Sequence, residues 1–159
     1  MMKRFTLVLT TFIVLLLTTS VGFAQLSGTY TIDPNGSGSS NYTSFSAAVS
    51  ALNSSGVNGP VTFNVAAGTY TERVSMSSIS GASSTNTITF DGSDKTQAIL
   101  QYSGSYSQRA TVALNGADYI QFKNISIRAI NSSYGVAAWL GNNANYNRFE
   151  NCDLHVPAI

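Results

Sequence analysis

The sequence holds 159 residues, of which only 9% are charged while 43% are hydrophobic. Eight basic and seven acidic residues leave a formal net charge of +1, a balance with no electrostatic footprint for nucleic acid or an anionic membrane surface. A single cysteine, Cys152, excludes an internal disulfide, so stability must come from packing and backbone hydrogen bonds.

The chain opens on the basic Met1-Met2-Lys3-Arg4 and an apolar run over 5–17 interrupted only by threonines, and Gly22-Phe23-Ala24 supplies the small residues that a signal peptidase reads. These features predict a signal peptide over 1–24 and a secreted chain from Gln25. A membrane-spanning helix is the rival reading, but it needs about 20 apolar residues and this run is shorter, so no membrane span is expected after signal cleavage. Without Lys3 and Arg4 the mature chain has six basic and seven acidic residues, a net charge of −1.

Residues 44–53 are the one segment with helical periodicity: Phe45, Ala48, Val49 and Leu52 recur at the three-and-four spacing of a single apolar stripe. Thr43 or Ser44 is placed to cap its start, and 53–59 ends it. Beyond Pro60 the chain reads as short strands separated by Gly, Asn and Ser, and these strands repeat. Residues 117–128 align with 144–155 at an offset of 27, superposing Ala117 on Ala144, Tyr119 on Tyr146, Phe122 on Phe149, Asn124 on Asn151 and Ile127 on Leu154. Phe63 and Phe90 are again 27 apart, and Phe122 follows Phe90 by 32.

Periods of this size mark a solenoid whose coils bury their apolar faces only against one another. With two or three short strands per unit and no helix, the expected fold is all-β, a right-handed parallel β-helix with one N-terminal capping α-helix. Alternation predicts that Val61, Phe63, Ile88, Phe90, Ile120, Phe122, Ile125, Ile127, Phe149, Cys152 and Leu154 point inward. An antiparallel sandwich with a hairpin at Asn115-Gly116 is the rival, but it gives no reason for the offset. Asn124 and Asn151 fall where the chain bends between strands and a left-handed conformation is useful, with Gly92 in the matching position; stacked Asn side chains can hydrogen-bond from coil to coil. Lys123 and Glu150, one coil apart, form an outer-wall ion pair.

From the helix through 61–65 and Gly68-Thr69-Tyr70-Thr71-Glu72, the chain resembles the opening of pectin methylesterases, whose first signature is GxYxE. Asp91-Gly92-Ser93-Asp94-Lys95-Thr96 with Ile99 is similar to a GDGxDKTxI stretch of that family, and 110–125, Val136-Ala137-Ala138, Phe149 and Cys152-Asp153-Leu154 resemble its next two coils. The opening also resembles large secreted β-helix proteins of Bacteroidetes-type bacteria, in which the β-helix is one part of a long chain. The catalytic pattern does not carry over. Tyr134 stands where the family places an oxyanion-stabilising glutamine, and the QDTL motif expected after Leu154 is replaced by His155-Val156-Pro157-Ala158-Ile159. Ester hydrolysis needs a nucleophile, an acid/base partner and oxyanion donors converging on one carbonyl, and none of the three is assigned.

Other candidates read structurally: Glu72 as the holder of its own turn, Asp91 and Asp94 as a loop with too few oxygens for a metal, and His155 as a solvated wall residue. Alternation turns Val136, Ala138 and Leu140 inward and leaves Trp139 on the outer wall, with Tyr134 just before that strand; the resemblance implies that polysaccharide lies in the groove outside it. A loop over 101–108, or a register slip of one, could instead cover Trp139. The final coil, 136–156, has no capping segment after it, so 25–159 is expected to be the N-terminal part of a longer β-helix. The sequence therefore points to a secreted or cell-surface β-helix scaffold, without cofactor or metal, whose partners are polysaccharide at Trp139 and Tyr134 and further β-helix coils. The alternatives are the N-terminal part of a pectin esterase- or lyase-like enzyme with its catalytic coils beyond residue 159, and a purely structural or adhesive stalk.

Overall fold

The computed structural model describes residues 24–158; apart from Ala24, the expected signal peptide lies outside the described residues. Strands β1 (Leu26–Ile32) and β2 (Asn41–Tyr42) precede helix α1 (Phe45–Ser55). Three coils of three strands follow: β3 (Val57–Val65), β4 (Gly68–Thr71) and β5 (Val74–Ser77); β6 (Ile88–Asp91), β7 (Ala98–Tyr102) and β8 (Ala110–Asn115); β9 (Ile120–Lys123), β10 (Ser126–Ala129) and β11 (Val136–Gly141). A fourth coil contributes β12 (Arg148–Glu150) and β13 (Asp153–His155). Corresponding strands stack into three sheets, β12-β9-β6-β3-β1-β2, β13-β10-β7-β4 and β11-β8-β5, with every strand pair parallel. The chain is a right-handed parallel β-helix, the hand that parallel crossovers take almost without exception. No hairpin forms at Asn115-Gly116; the antiparallel contact there is one isolated bridge between Ser77 and Gly116.

The offset of 27 is the length of a coil, and its register puts like on like. Phe63, Phe90, Phe122 and Phe149 are successive partners along the first sheet. Their rings stack at centroid distances of 5.0, 5.1 and 5.4 Å with interplanar angles of 15°, 13° and 6°. Val61, Ile88 and Ile120 form a parallel ladder, as do Tyr70, Leu100, Ile127 and Leu154 on the second sheet and Met76, Leu114 and Leu140 on the third. Each fully buried side chain of this size contributes about 1.5–3 kcal/mol from apolar burial.

Of the residues predicted to point inward, Val61, Phe63, Ile88, Phe90, Ile120, Phe122, Ile125 and Ile127 are buried, Phe149 and Cys152 are half-buried, and Leu154 is 50% exposed. The difference has one cause: β11, β12 and β13 each have a strand neighbour on one side only among the described residues. Leu140 and Leu154 continue the ladders, but no coil among the described residues covers them.

Helix α1 seals the opposite end. Its stripe of Phe45, Ala48, Val49 and Leu52 is buried, with Phe45 set edge-on to Tyr70 at 5.2 Å and stacked on Phe90 at 5.7 Å. Ser44 caps the first turn by accepting from the Ala47 N–H at 3.0 Å. The helix runs two residues further than predicted, because the left-handed stop comes only at Gly56, with φ 66°, whose N–H donates to the Leu52 carbonyl. Glu72 does not merely hold its own turn. Its carboxylate crosses to α1 and accepts from the Phe45 N–H at 2.9 Å and from the Ser46 N–H and hydroxyl at 2.8 and 2.5 Å. These amides are among the donors that a helix start leaves without an intrahelical partner, and the N-terminal dipole favours the negative charge.

The asparagine bends form as expected: Asn124 and Asn151 have φ of 53° and 50°, and Asn151 Nδ2 donates to Asn124 Oδ1 at 2.7 Å. Asn124 Nδ2 in turn donates to Asp91 Oδ1 at 2.8 Å. Gly92 differs from the expectation. The left-handed residue of its coil is Ser93 (φ 60°), and Gly92 is required for space, since a Cβ there would lie 2.4 Å from the Asn124 carbonyl oxygen. The Lys123–Glu150 ion pair is present at 3.5 Å, and Arg148 also reaches Glu150, at 3.3 Å.

Candidate functional site

Trp139 is the fourth of the six residues of β11 and lies in register with Ala113 of β8, itself partnered by Ser75 of β5. On the outer wall of this third sheet, two small residues beneath an indole leave a depression. The indole also folds back along its own strand: a Cβ at Gly141, two residues on and so on the same face, would lie 2.2 Å from the Trp139 ring. Glycine at 141 therefore lets the ring lie flat, and Trp139 remains 46% exposed.

The loop over 101–108 does not cover Trp139. Its Tyr106 and Ser107 form one side of the same cleft, while Ala110, Ala113 and Val136 make the floor and Arg73 and Arg109 supply the charge. The cleft has a volume of about 440 Å³ and no carboxylate in its lining. Arg73 follows Glu72 at the bend into β5, and its Nε is shielded from solvent without a hydrogen-bond partner among the described residues. Arg109 enters β8 with Nε donating to the Tyr106 carbonyl at 3.2 Å. Its guanidinium carbon lies 5.2 Å from the Tyr106 ring and 5.6 Å from the Tyr134 ring, and those two rings meet edge-on at 6.0 Å. A cation so placed is held by the negative faces of both rings.

Tyr134, 39% exposed, packs on Arg109 and is not among the residues that line the cleft, whereas Tyr106 is. Sequence reasoning missed Arg73, Tyr106 and Arg109. The available signal was composition: Arg73 and Arg109 are two of only four arginines after residue 24. Neither belongs to the ion pairs of the described residues, which join Lys123 and Arg148 to Glu150.

The remaining candidates are occupied by the fold. Asp91 Oδ1 accepts from the Ser93 N–H and Asp94 Oδ1 from the Thr96 N–H and hydroxyl, each at 2.8 Å. The Thr96 backbone and side-chain bonds hold the Asp94 carboxyl below its ordinary value. His155 is exposed on β13. Burial pushes the half-buried Cys152 thiol above its ordinary value, so it is not poised as a thiolate.

The fold and cleft together define a helically capped parallel β-helix with a cationic, aromatic groove on its outer wall. Among solved structures the chain is similar to the pectin methylesterase PemA from Erwinia chrysanthemi, at TM-score 0.60 and 11% identity, over 80% of this chain and 45% of that one. It is similar to a pectin methylesterase in complex with hexasaccharide VII at TM-score 0.61 and 12% identity, over 80% and 45% of the two chains. A pectin methylesterase mutant in complex with hexasaccharide IV matches at TM-score 0.59 and 12% identity, over 77% and 42%. At these identities the likeness is one of fold. The chain spans less than half the length of these neighbours. No protein-family profile and no curated protein matches the sequence. No helix among the described residues is long and apolar enough to cross a membrane.

Proposed function

We propose that this chain is an exported, non-catalytic β-helix scaffold, the N-terminal part of a longer solenoid, that contacts polysaccharide through the cleft beside Trp139. The observation that carries the reading is the indole lying flat over Gly141 at the mouth of an open groove, where it offers an apolar face to a sugar ring. Two of the similar structures are, by their descriptions, pectin methylesterases in complex with hexasaccharides, which supports a glycan as the ligand class. Trp139 is the one tryptophan of the sequence, so its fluorescence reports on the cleft directly. Titration with plant and microbial polysaccharides is expected to change that emission, and calorimetry on Trp139→Ala is expected to show binding lost. An unchanged signal across the panel, or calorimetric binding that survives the substitution, defeats the reading.

The chain spans 45% of two of the similar esterases, and that supports a second reading: the N-terminal part of a carbohydrate-active enzyme whose catalytic coils lie beyond residue 159. Methanol release from methylated pectin by the chain as given, above a heat-killed control and abolished by Asp153→Ala, would contradict the non-catalytic reading and put catalytic residues within this chain rather than beyond residue 159.

A further inference from the structure

The cleft beside Trp139 carries two positive charges and no negative one, in a protein whose mature part has a net charge of −1. A surface that only stacked on neutral sugars would gain nothing from this arrangement, because burying a guanidinium nitrogen without a partner is costly. Arg73 Nε is in that condition: shielded, unpartnered and on a residue that lines the cleft. Its neighbour Glu72 makes no ion pair with it among the described residues; both Glu72 oxygens turn to the start of α1 instead. Arg109 is fixed from the other side by Tyr106 and Tyr134, with Nε committed to a carbonyl and its two terminal nitrogens left to serve a ligand. Planar guanidinium forks match the paired oxygens of a carboxylate or a sulfate ester, and a preorganised fork loses little freedom on binding.

We infer that Arg73 and Arg109 make this cleft selective for saccharides that carry an oxyanion, as a carboxylate or a sulfate ester, over neutral ones. The inference rests on the reading of the cleft as a polysaccharide contact and adds the charge class of the ligand. One ring stacks on Trp139 while its anionic substituent, or that of the adjacent ring, enters between the two arginines. An esterified or otherwise neutral sugar offers the two guanidinium groups only uncharged acceptors, whose hydrogen bonds are weaker than those of an oxyanion.

Dextran, carboxymethyl-dextran and dextran sulfate share one backbone and differ in charge, so Trp139 fluorescence titrations with the three separate stacking from anion recognition. Both charged polymers, or one of them if the site distinguishes carboxylate from sulfate ester, are expected to bind about tenfold or more tightly than dextran. The preference should weaken as sodium chloride rises from about 0.05 to about 0.5 M. Arg73→Gln and Arg109→Gln should each remove most of it, Arg73→Lys should retain part, and Arg148→Gln, on β12 of a different sheet, should leave it intact. If Arg109→Gln lowers the melting temperature through its loop, Arg73→Gln alone decides. Equal affinity for all three polymers, or equal loss of preference with Arg148→Gln, overturns the inference and leaves the polysaccharide reading standing; no response to any polymer overturns both.

Discussion

Phe90 links the coils of the solenoid to its helical cap. Its ring is fully buried and lies against three others, Phe63 at 5.0 Å, Phe122 at 5.1 Å and Phe45 of α1 at 5.7 Å, so it links two neighbouring coils to the cap. Truncation to alanine removes the transfer free energy of the ring and leaves a cavity walled by backbone that cannot collapse, because the coils are spaced by their own hydrogen bonds at about 4.8 Å. Core Phe→Ala changes cost about 3–5 kcal/mol, and aromatic pairs add about 0.5–1.5 kcal/mol each beyond area burial, which puts Phe90→Ala at the top of that range. Phe149 supplies the control. It is in the same ladder, half-buried, with one aromatic neighbour at 5.4 Å, and should cost about half as much or less when truncated. Urea unfolding followed by circular dichroism measures both, with Phe90→Leu as a milder substitution should Phe90→Ala leave too little folded protein to fit. If Phe149→Ala proves as costly as Phe90→Ala, the stack is not the source of stability and the reasoning fails.

Glu72→Ala should destabilise the chain by about 1–2 kcal/mol, by leaving the Phe45 and Ser46 amides without their acceptor, and Glu72→Gln should recover part of the loss; equal unfolding midpoints for all three proteins would contradict the assignment. Tyr70 is buried with its hydroxyl 3.0 Å from the Ile32 and Ala66 carbonyl oxygens, and burial, with Asp33 and Glu72 nearby, pushes its phenol up to about 12. The fold thus favours the neutral phenol, so this contribution is whole below pH 10 and is lost as pH rises towards 12; Tyr70→Phe should flatten the fall in melting temperature across that window, and an unchanged slope would refute it. Gly141→Ala should displace the Trp139 ring and shift its emission while changing the unfolding midpoint little, since the ring moves over an open cleft; an unaltered spectrum would show that the indole does not rest on Gly141.

Several features were legible in the chain alone because they are local or periodic. An apolar stripe at helical spacing predicts α1, and an offset that superposes Phe on Phe and Asn on Asn predicts coils in parallel register, because a solenoid stacks an aromatic or an amide side chain against its own copy one rung away. The antiparallel alternative fails on the same ground. Other features arise from distance in space. Glu72 reads as part of its own turn until the coil brings it to a helix start 27 residues earlier. Gly92 reads as a left-handed bend until the neighbouring coil shows that the constraint is room beside the Asn124 carbonyl, with Ser93 making the turn. The binding cleft is the clearest case. Arg73 is far in sequence from Tyr106 and Arg109, each lies on or beside a loop with no periodic signal, and a single coil supplies only the contact of Arg109 with Tyr106. Only the stacking of β5, β8 and β11 gathers them around Trp139, because the outer wall of a solenoid is assembled from one short segment of every coil.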